Sequence, residues 1–552
     1  MMRGFLALFA LSVTVQAVGE DAAQRLLQSS DADPSVLSTD IGAYIEGLMK
    51  EWHVPGLSVA VVDGDKTWAK GYGYAVLNST PATPHTLFYT GSTTKSFTAA
   101  GLSLLVDNST SLTWTTPVSS VLDDFVLSDA WATAHVTLED ALSHRTGYPR
   151  HDLASSATTA REMVRNLRNL PMSAEPRARY QYCNKMFGVM GYLIETLTGQ
   201  WLGDFLRERL WEPMGMGETY FSLGDAEESG LVLANEYVYD PVQGRHLQVP
   251  HEPFSAEEGA GSIISNVLDY AKYLRVMMNE DAPLSKDGHR EVKTPRSFSS
   301  MSKPPFVGPV TYGFGWNQAV FEGERAYFHS GQVNQFVSIM IMIPSKKFAV
   351  TAMSNTESPA IELIAHHLLY EHFGVPKEKR LDLDKQYKSQ KRLQQKYLEN
   401  CGDYIYPSVP EPPLLPTLPI SDHIGEYSDP GYGTINVDLH CEDAEPSFLG
   451  YSAKSTEQCK LRVLNVAGVG WAFMKPVLYL EPKSGNYWVG RLYMEAGDGK
   501  NVTTPSICMR AEFKVDVTGT VTELGLDLRL ENVLEGTPAG DGPLVWFKRV
   551  ED

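Results

Sequence analysis

Residues 88–105, FYTGSTTKSFTAAGLSLL, set a serine hydroxyl and a lysine amine three residues apart, at Ser92 and Lys95, at what reads as the start of a helix. Three residues is about one helical turn, so the two side chains share a face. Phe97, Leu102, Leu104 and Leu105 predict a helix buried on most sides, and Gly91 permits close backbone approach just ahead of the serine. Lys95 then faces inward, a position that lysine rarely takes without a partner or a task. By itself the tetrapeptide also fits an exposed helix start capped by Ser92. With Lys95 inside, it fits a nucleophile: a serine hydroxyl needs a neighbour to take its proton, and a lysine of depressed pKa can do so.

Two further signals lie downstream. Tyr182-Cys183-Asn184, in ARYQYCNKMFGVMGYLIETLTG, offers a phenol and a carboxamide two apart, just ahead of an apolar helical pattern. His329-Ser330-Gly331, in AYFHSGQVNQFVSIMIMIP, opens a β-like run. Taken singly, Tyr182 reads as a half-buried core tyrosine, Asn184 as a helix cap and His329 as a satisfied strand-end histidine. Together and in this order they resemble the serine β-lactamase and penicillin-binding-protein superfamily. The resemblance is to the branch holding class C β-lactamases, D-aminopeptidases, β-lactamase-fold carboxylesterases and fungal acyltransferases. The flanking segments VPGLSVAVVDGD, TLEDALSHRTGYP, LWEPMGMGETYF, GAGSIIS and YGFGW agree with it, over about residues 40–375.

That resemblance implies an acylated serine at Ser92, with Lys95 sharing in its deprotonation. It implies that Tyr182 accepts the serine proton and later serves the leaving group or water, which requires positive charge nearby because a free phenol has a pKa of about 10. It makes Asn184 a ligand of the lysine and of a substrate amide. Gly331 lets substrate lie along the strand, with the backbone N–H groups of Ser92 and Gln332 as an oxyanion hole. His329 stands where the lactamases carry Lys-Thr-Gly. A mostly neutral imidazole binds a substrate carboxylate less well than a cation, which argues for an esterase, aminopeptidase or acyltransferase relative over a dedicated β-lactamase. His144 and Arg145 are expected to shape a loop behind the site, and Cys183 to be a core thiol.

The ends of the chain suggest secretion. Arg3, an apolar run from Phe5 to Val15, and Val15-Gln16-Ala17 read as a signal peptide over residues 1–17, too short for the roughly 20 apolar residues of a membrane span. Sequons at Asn78, Asn108 and Asn501 are compatible with glycosylation. A formal net charge of -20 disfavours nucleic acid and anionic membrane as partners. Of the 5 cysteines, Cys401, Cys441, Cys459 and Cys508 fall late and allow two disulfides in an oxidising compartment. Cys441 with Cys459 is the preferred pair, because it closes a short polar loop between strand-like runs. His366, His367, Glu371 and His372 have helical spacing without an open ligand set, so no metal or other cofactor is expected.

With 552 residues, two domains are the prior expectation. LSVAVV and KTWAKGYGY, around Asp63-Gly64-Asp65, predict a hairpin, as do FVSIMIMI and KFAVTAMSN around Pro344-Ser345. The expected fold is α+β: an antiparallel sheet flanked by helices plus an all-helical subdomain, over residues 35–375. Residues 376–419 read as a charged, solvated helix and a proline-rich linker. Short alternating runs over residues 420–552 predict a small all-β barrel, and GEYSDPGYGTINV resembles the opening of lipocalin-like C-terminal domains. Its expected role is structural, with possible homo-oligomer formation, or to cover the cleft.

The resulting expectation is a secreted serine hydrolase that cleaves an ester or amide of a small-molecule or short-peptide acyl substrate. An acyltransferase of secondary metabolism and a catalytically silent scaffold are the alternatives.

Overall fold

The computed structural model describes residues 36–154, 157–241, 243–254, 256–441, 459–466, 475–495, 507–528 and 544–551. Residues 1–17, where a signal peptide is expected, and Asn501 lie outside the described residues.

Both sequence hairpins form. β1 (Gly56–Asp63) pairs with β2 (Lys66–Val76) in a register that sets Asp63 opposite Lys66. Further strands of the same sheet are β3 (Thr80–Pro81), β4 (Ser297–Ser300), β5 (Val307–Tyr312), β6 (Asn317–Phe321), β7 (Glu324–Val333), β8 (Phe336–Ile343) and β9 (Phe348–Ser354). They form one antiparallel sheet ordered β3-β2-β1-β9-β8-β7-β6-β5-β4, so strands from both ends of the domain meet at its centre. A central strand covered on both faces is buried without alternation, and β1 is buried from Gly56 to Val62, its one polar side chain there, Ser58, donating to Thr83 O.

One face packs on α1 (Thr39–Glu51) and α5 (Ala360–His372): Leu57, Val59 and Val61 meet Ile45, Leu48, Ile364 and Leu368. The other face, with Ala60, Val62, Met340 and Met342, packs toward the helical subdomain. That subdomain includes α2 (Thr94–Asp107), α3 (Asn184–Thr198) and α4 (Val267–Asn279). α2 is buried from Thr94 through Ser103, as its apolar sequence requires.

The charged segment after residue 376 forms α6 (Leu383–Ile405), and it is more than a solvated connector. Near its start, Trp52 Nε1 donates to Asp384 Oδ1 at 3.0 Å, and Lys388 pairs with Glu51 and Asp384. At its far end Tyr397, Cys401 and Ile405 bury a stripe against Val489 and Cys508. The proline-rich stretch then runs along the barrel, where Gly485 N donates to Leu414 O at 2.9 Å.

The barrel comprises β10 (Gly425–Asp429), β11 (Gly433–Cys441), β12 (Cys459–Leu464), β13 (Lys475–Ser484), β14 (Tyr487–Glu495), β15 (Ile507–Val515), β16 (Val521–Leu526) and β17 (Val545–Arg549). Neighbours in sequence pair antiparallel, and β10 closes on β17 through Tyr427 opposite Arg549. Alternate residues, among them Ile435, Val437, Leu461, Val463, Leu478, Leu480, Phe513 and Phe547, fill the interior, as eight strands permit. Two disulfides, Cys441–Cys459 and Cys401–Cys508, join β11 to β12 and α6 to β15. Cys183 is free and buried.

Candidate active site

Ser92 lies in a single 3₁₀ turn, Gly91–Thr93, one turn earlier than the α-helix that carries Lys95. The turn is held from below: Thr93 Oγ1 and Ser338 Oγ both donate to Thr90 O, at 2.9 and 2.6 Å. Gly91 has φ +55°, and a Cβ there would sit 2.5 Å from Gln332 N. A Cβ on Gly331 would fall 1.9 Å from Thr90 O and 3.0 Å from Ser92 N. Glycine at both positions therefore lets the Ser92 turn press against β7, and this close approach makes the backbone N–H groups of Ser92 and Gln332 neighbours.

Lys95 is wholly buried, with its Nζ 3.0 Å from Ser92 Oγ, 2.7 Å from Asn184 Oδ1 and 2.9 Å from Ala260 O. Burial pushes its pKa down to about 7, and the Arg150 guanidinium adds to the effect. A neutral amine has two N–H donors and one lone pair. With both donors taken by the Asn184 and Ala260 oxygens, the lone pair is left for the Ser92 hydroxyl proton.

The Tyr182 ring lies 4.8 Å from Lys95 Nζ, and the Ser92 hydroxyl is among the groups that act on its phenol. Its pKa shifts opposite to the direction the sequence called for: burial drives it well above the ordinary phenol value, outweighing the Ser92 hydrogen bond and Arg150. The physical reason is that a half-deprotonated Lys95 supplies little positive charge, while the enclosure that lowers the amine raises the phenol. Asn184, the first residue of α3, accepts from Lys95 and donates through Nδ2 to Asp152 Oδ1 at 3.1 Å. His144 accepts the Cys183 N–H at Nδ1, 3.1 Å away, and so fixes the backbone between Tyr182 and Asn184. That is a structural part, as expected for the loop behind the site.

His329 is buried on β7, with Nδ1 2.6 Å from Ser330 O and Nε2 3.0 Å from the Tyr312 hydroxyl. The carbonyl takes the Nδ1 proton, so Nε2 accepts from the phenol. Burial, reinforced by Lys95, holds its pKa down at about 3, and the ring is neutral. Its hydrogen bonds go to Ser330 and Tyr312, not to Ser92. It shapes the wall, while Ser330 and Gln332 on either side of Gly331 are exposed.

The residues the sequence reading passed over are Arg150 and Asp152. Arg150 Nε donates to Asp152 Oδ2 at 2.8 Å, and its guanidinium lies 5.1 Å from the Tyr182 ring with 42% of the side chain exposed. Asp152 is held below the usual carboxylate range: burial opposes ionisation, but Arg150, Lys185 and the Asn184 bond outweigh it. These residues directly follow the HRTGYP segment, but their contact with Asn184 spans 32 residues and has no local signature.

The beta-lactamase family model matches residues 41–371. The chain belongs to the beta-lactamase family. Within that family it is similar to two fungal proteins. It is 41% identical over 458 residues to "Unguisins hydrolase ungD'" of Aspergillus campestris, covering 80% of this chain and 85% of that one. Its identity to "Unguisins hydrolase ungD" of Aspergillus violaceofuscus is 35% over 470 residues, covering 79% and 83%. Among solved structures, the octameric penicillin-binding protein homologue from Pyrococcus abyssi matches 92% of this chain and 99% of its own, with TM-score 0.56 and 22% identity, a likeness of fold that spans both domains. The D-amino acid amidase from Ochrobactrum anthropi complexed with L-phenylalanine amide matches 60% of this chain and 97% of its own, with TM-score 0.50 and 25% identity. This beta-lactamase-family protein is thus a serine hydrolase by family, and its Lys95 amine lies against Ser92, Asn184 and the Tyr182 ring.

Proposed function

We propose that this protein hydrolyses an amide bond of a small peptide-like substrate through an acyl-enzyme on Ser92. The observation that carries the reading is the wholly buried Lys95, with Nζ 3.0 Å from Ser92 Oγ and its pKa near 7. Lys95 takes the Ser92 proton as the oxygen attacks the carbonyl carbon. The tetrahedral oxyanion is received by the backbone N–H groups of Ser92 and Gln332, donors whose individual loss typically costs a few kcal/mol of transition-state stabilisation. Tyr182, protonated at rest, donates to the leaving nitrogen and is reprotonated by the Lys95 ammonium, which returns to the neutral amine. Water then attacks the acyl carbon, giving its proton to the neutral Lys95 amine, which passes it to Ser92 Oγ as the ester bond breaks. An amide is preferred because a structural neighbour is named a D-amino acid amidase, while relatives covering most of the chain are named as hydrolases. The neutral His329 favours substrates other than carboxylate-bearing lactams.

Fluorophosphonate labelling followed by peptide mass spectrometry tests the reading. Ser92 carries the adduct in the wild type, Ser92→Ala carries none, and hydrolysis of D-aminoacyl anilides and peptide amides is lost with it. An unlabelled folded wild type overturns the hydrolase and favours the scaffold alternative. Amine or alcohol adducts forming in place of free acid favour the acyltransferase.

Secretion and glycosylation belong to the same proposal. Asn78 and Asn108 are exposed on the catalytic domain, and two disulfides suit an oxidising compartment. No helix among the described residues is long and apolar enough to cross a membrane. A glycosidase-sensitive mass shift on protein recovered from culture medium checks this.

A further inference from the structure

Among the described residues, a tight turn of the C-terminal barrel touches the catalytic domain. Asp429-Pro430-Gly431-Tyr432 joins β10 to β11, and Asp429 Oδ1 accepts the N–H groups of Gly431 and Tyr432 at 2.8 and 2.9 Å, which makes the turn rigid on its own. The turn is seated between side chains of the catalytic domain. Asn166 Nδ2 donates to Gly431 O at 2.8 Å and Asn169 Nδ2 to Pro430 O at 3.4 Å. A Cβ on Gly431 would meet Leu170 Cδ2 at 2.8 Å and Asn169 O at 3.0 Å.

Beside it, the Tyr432 hydroxyl lies 2.6 Å from His151 Nδ1, and His151 Nε2 lies 2.9 Å from Pro171 O. The carbonyl requires a proton on Nε2, so Nδ1 accepts from the phenol. Both side chains are almost wholly buried, and burial keeps the imidazole neutral, in keeping with that tautomer. His151 sits between the two residues that reach the reacting groups: Arg150, over the Tyr182 ring, and Asp152, bonded to Asn184. The far end of this strap is also fixed, since Lys185 Nζ donates to Ala154 O at 2.7 Å. An unbroken series of contacts thus runs from the barrel through His151 to Asp152, Asn184, Lys95 and Ser92.

We propose that Tyr432 is a positioning residue for Ser92 chemistry: through His151, the barrel holds Arg150 and Asp152 in the places from which they orient Tyr182, Asn184 and Lys95. The barrel is then a working part of the catalytic domain, not an appended module. The inference rests on the Ser92 acyl-enzyme reading.

The test uses the full-length protein. Tyr432→Phe removes only the hydroxyl that His151 accepts from, and Gly431→Val drives a side chain into Leu170 and lifts the turn. Two readouts are followed at a temperature where each variant is folded: kcat and KM on an amide substrate, and the pH dependence of Ser92 labelling by a fluorophosphonate. The expected result is a fall in kcat of about tenfold or more with KM within about twofold, because a small misplacement acts on the transition state. The labelling midpoint should also move away from the wild-type value. A barrel that contributes only stability lowers the melting temperature and leaves both readouts at wild-type values in both variants, and that result overturns the inference. If wild-type Ser92 itself fails to label, the hydrolase reading fails first; normal wild-type labelling with unchanged variants fails this inference alone.

Discussion

At the residue scale, the opposite shifts of Lys95 and Tyr182 make a testable statement about pH. If the neutral Lys95 amine is the base, acylation of Ser92 is slow while the amine is protonated. It then rises as pH climbs through about 7 and levels off above it. Arg150 disfavours the ammonium form of Lys95, so removing its charge raises the amine pKa. In Arg150→Met the midpoint of the labelling profile therefore moves upward, by about half a unit to one unit, and the rate at pH 6 falls more than the rate at pH 9. A downward move contradicts the assignment. Ser92, Lys95, Tyr182 and Asn184 were legible because each pair is a short-range pattern whose chemistry implies the other member. Arg150 and Asp152 were not, because their importance comes from a contact between Asp152 and Asn184 made 32 residues apart. The direction of the Tyr182 shift was also hidden, since burial cannot be read from a tripeptide.

At the element scale, the site depends on how closely the Ser92 turn approaches β7. Gly331→Ala places a methyl within 1.9 Å of Thr90 O and 2.6 Å of Ser338 Oγ, where nothing flexible can yield. The strand must move off the turn, separating the N–H groups of Ser92 and Gln332. We expect kcat/KM to fall by about 100-fold, a loss a displacement near one ångström can produce, measured against Ser330→Ala on the same strand as control. Hairpins were readable at this scale, since β1 with β2 and β8 with β9 are local, turn-bounded patterns. The pairing of β1 with β9, which sets Leu57 opposite Ser354, joins segments far apart in the chain and leaves no local trace. The α6 sequence reads as solvated because its charged and amide side chains together outnumber its apolar residues. Tyr397, Cys401 and Ile405 are too sparse a stripe to announce the barrel surface they cover.

At the scale of the whole molecule, covalent ties decide how the domains come apart. Cys183 is enclosed, and burial pushes its thiol up to about 12, so it neither ionises near neutrality nor meets reagent. Thiol titration of the unreduced protein should find no reactive group in the native state and a single one in denaturant. A higher count in denaturant shows that one of the two bridges is absent.

Of those bridges, Cys401–Cys508 has the larger thermodynamic reach, because it spans 107 residues where Cys441–Cys459 spans 18. In the chain-entropy account the cost of closing a loop grows with the logarithm of its length. The long bridge is then worth somewhat more than 4 kcal/mol and the short one about 3 kcal/mol. The long one also fixes α6, which is held to the catalytic domain at Asp384 and Lys388, onto the barrel strand β15. Its removal in Cys401→Ser/Cys508→Ser should lower the urea midpoint of barrel unfolding more than removal of the short bridge does. The catalytic core, whose sheet carries no disulfide among the described residues, should hold its own secondary structure beyond that midpoint. If the turn at Tyr432 orders the site, labelling of Ser92 will be lost at the barrel midpoint and not at the later one. Labelling that survives barrel unfolding would leave the domains joined by chain and disulfide but independent in chemistry.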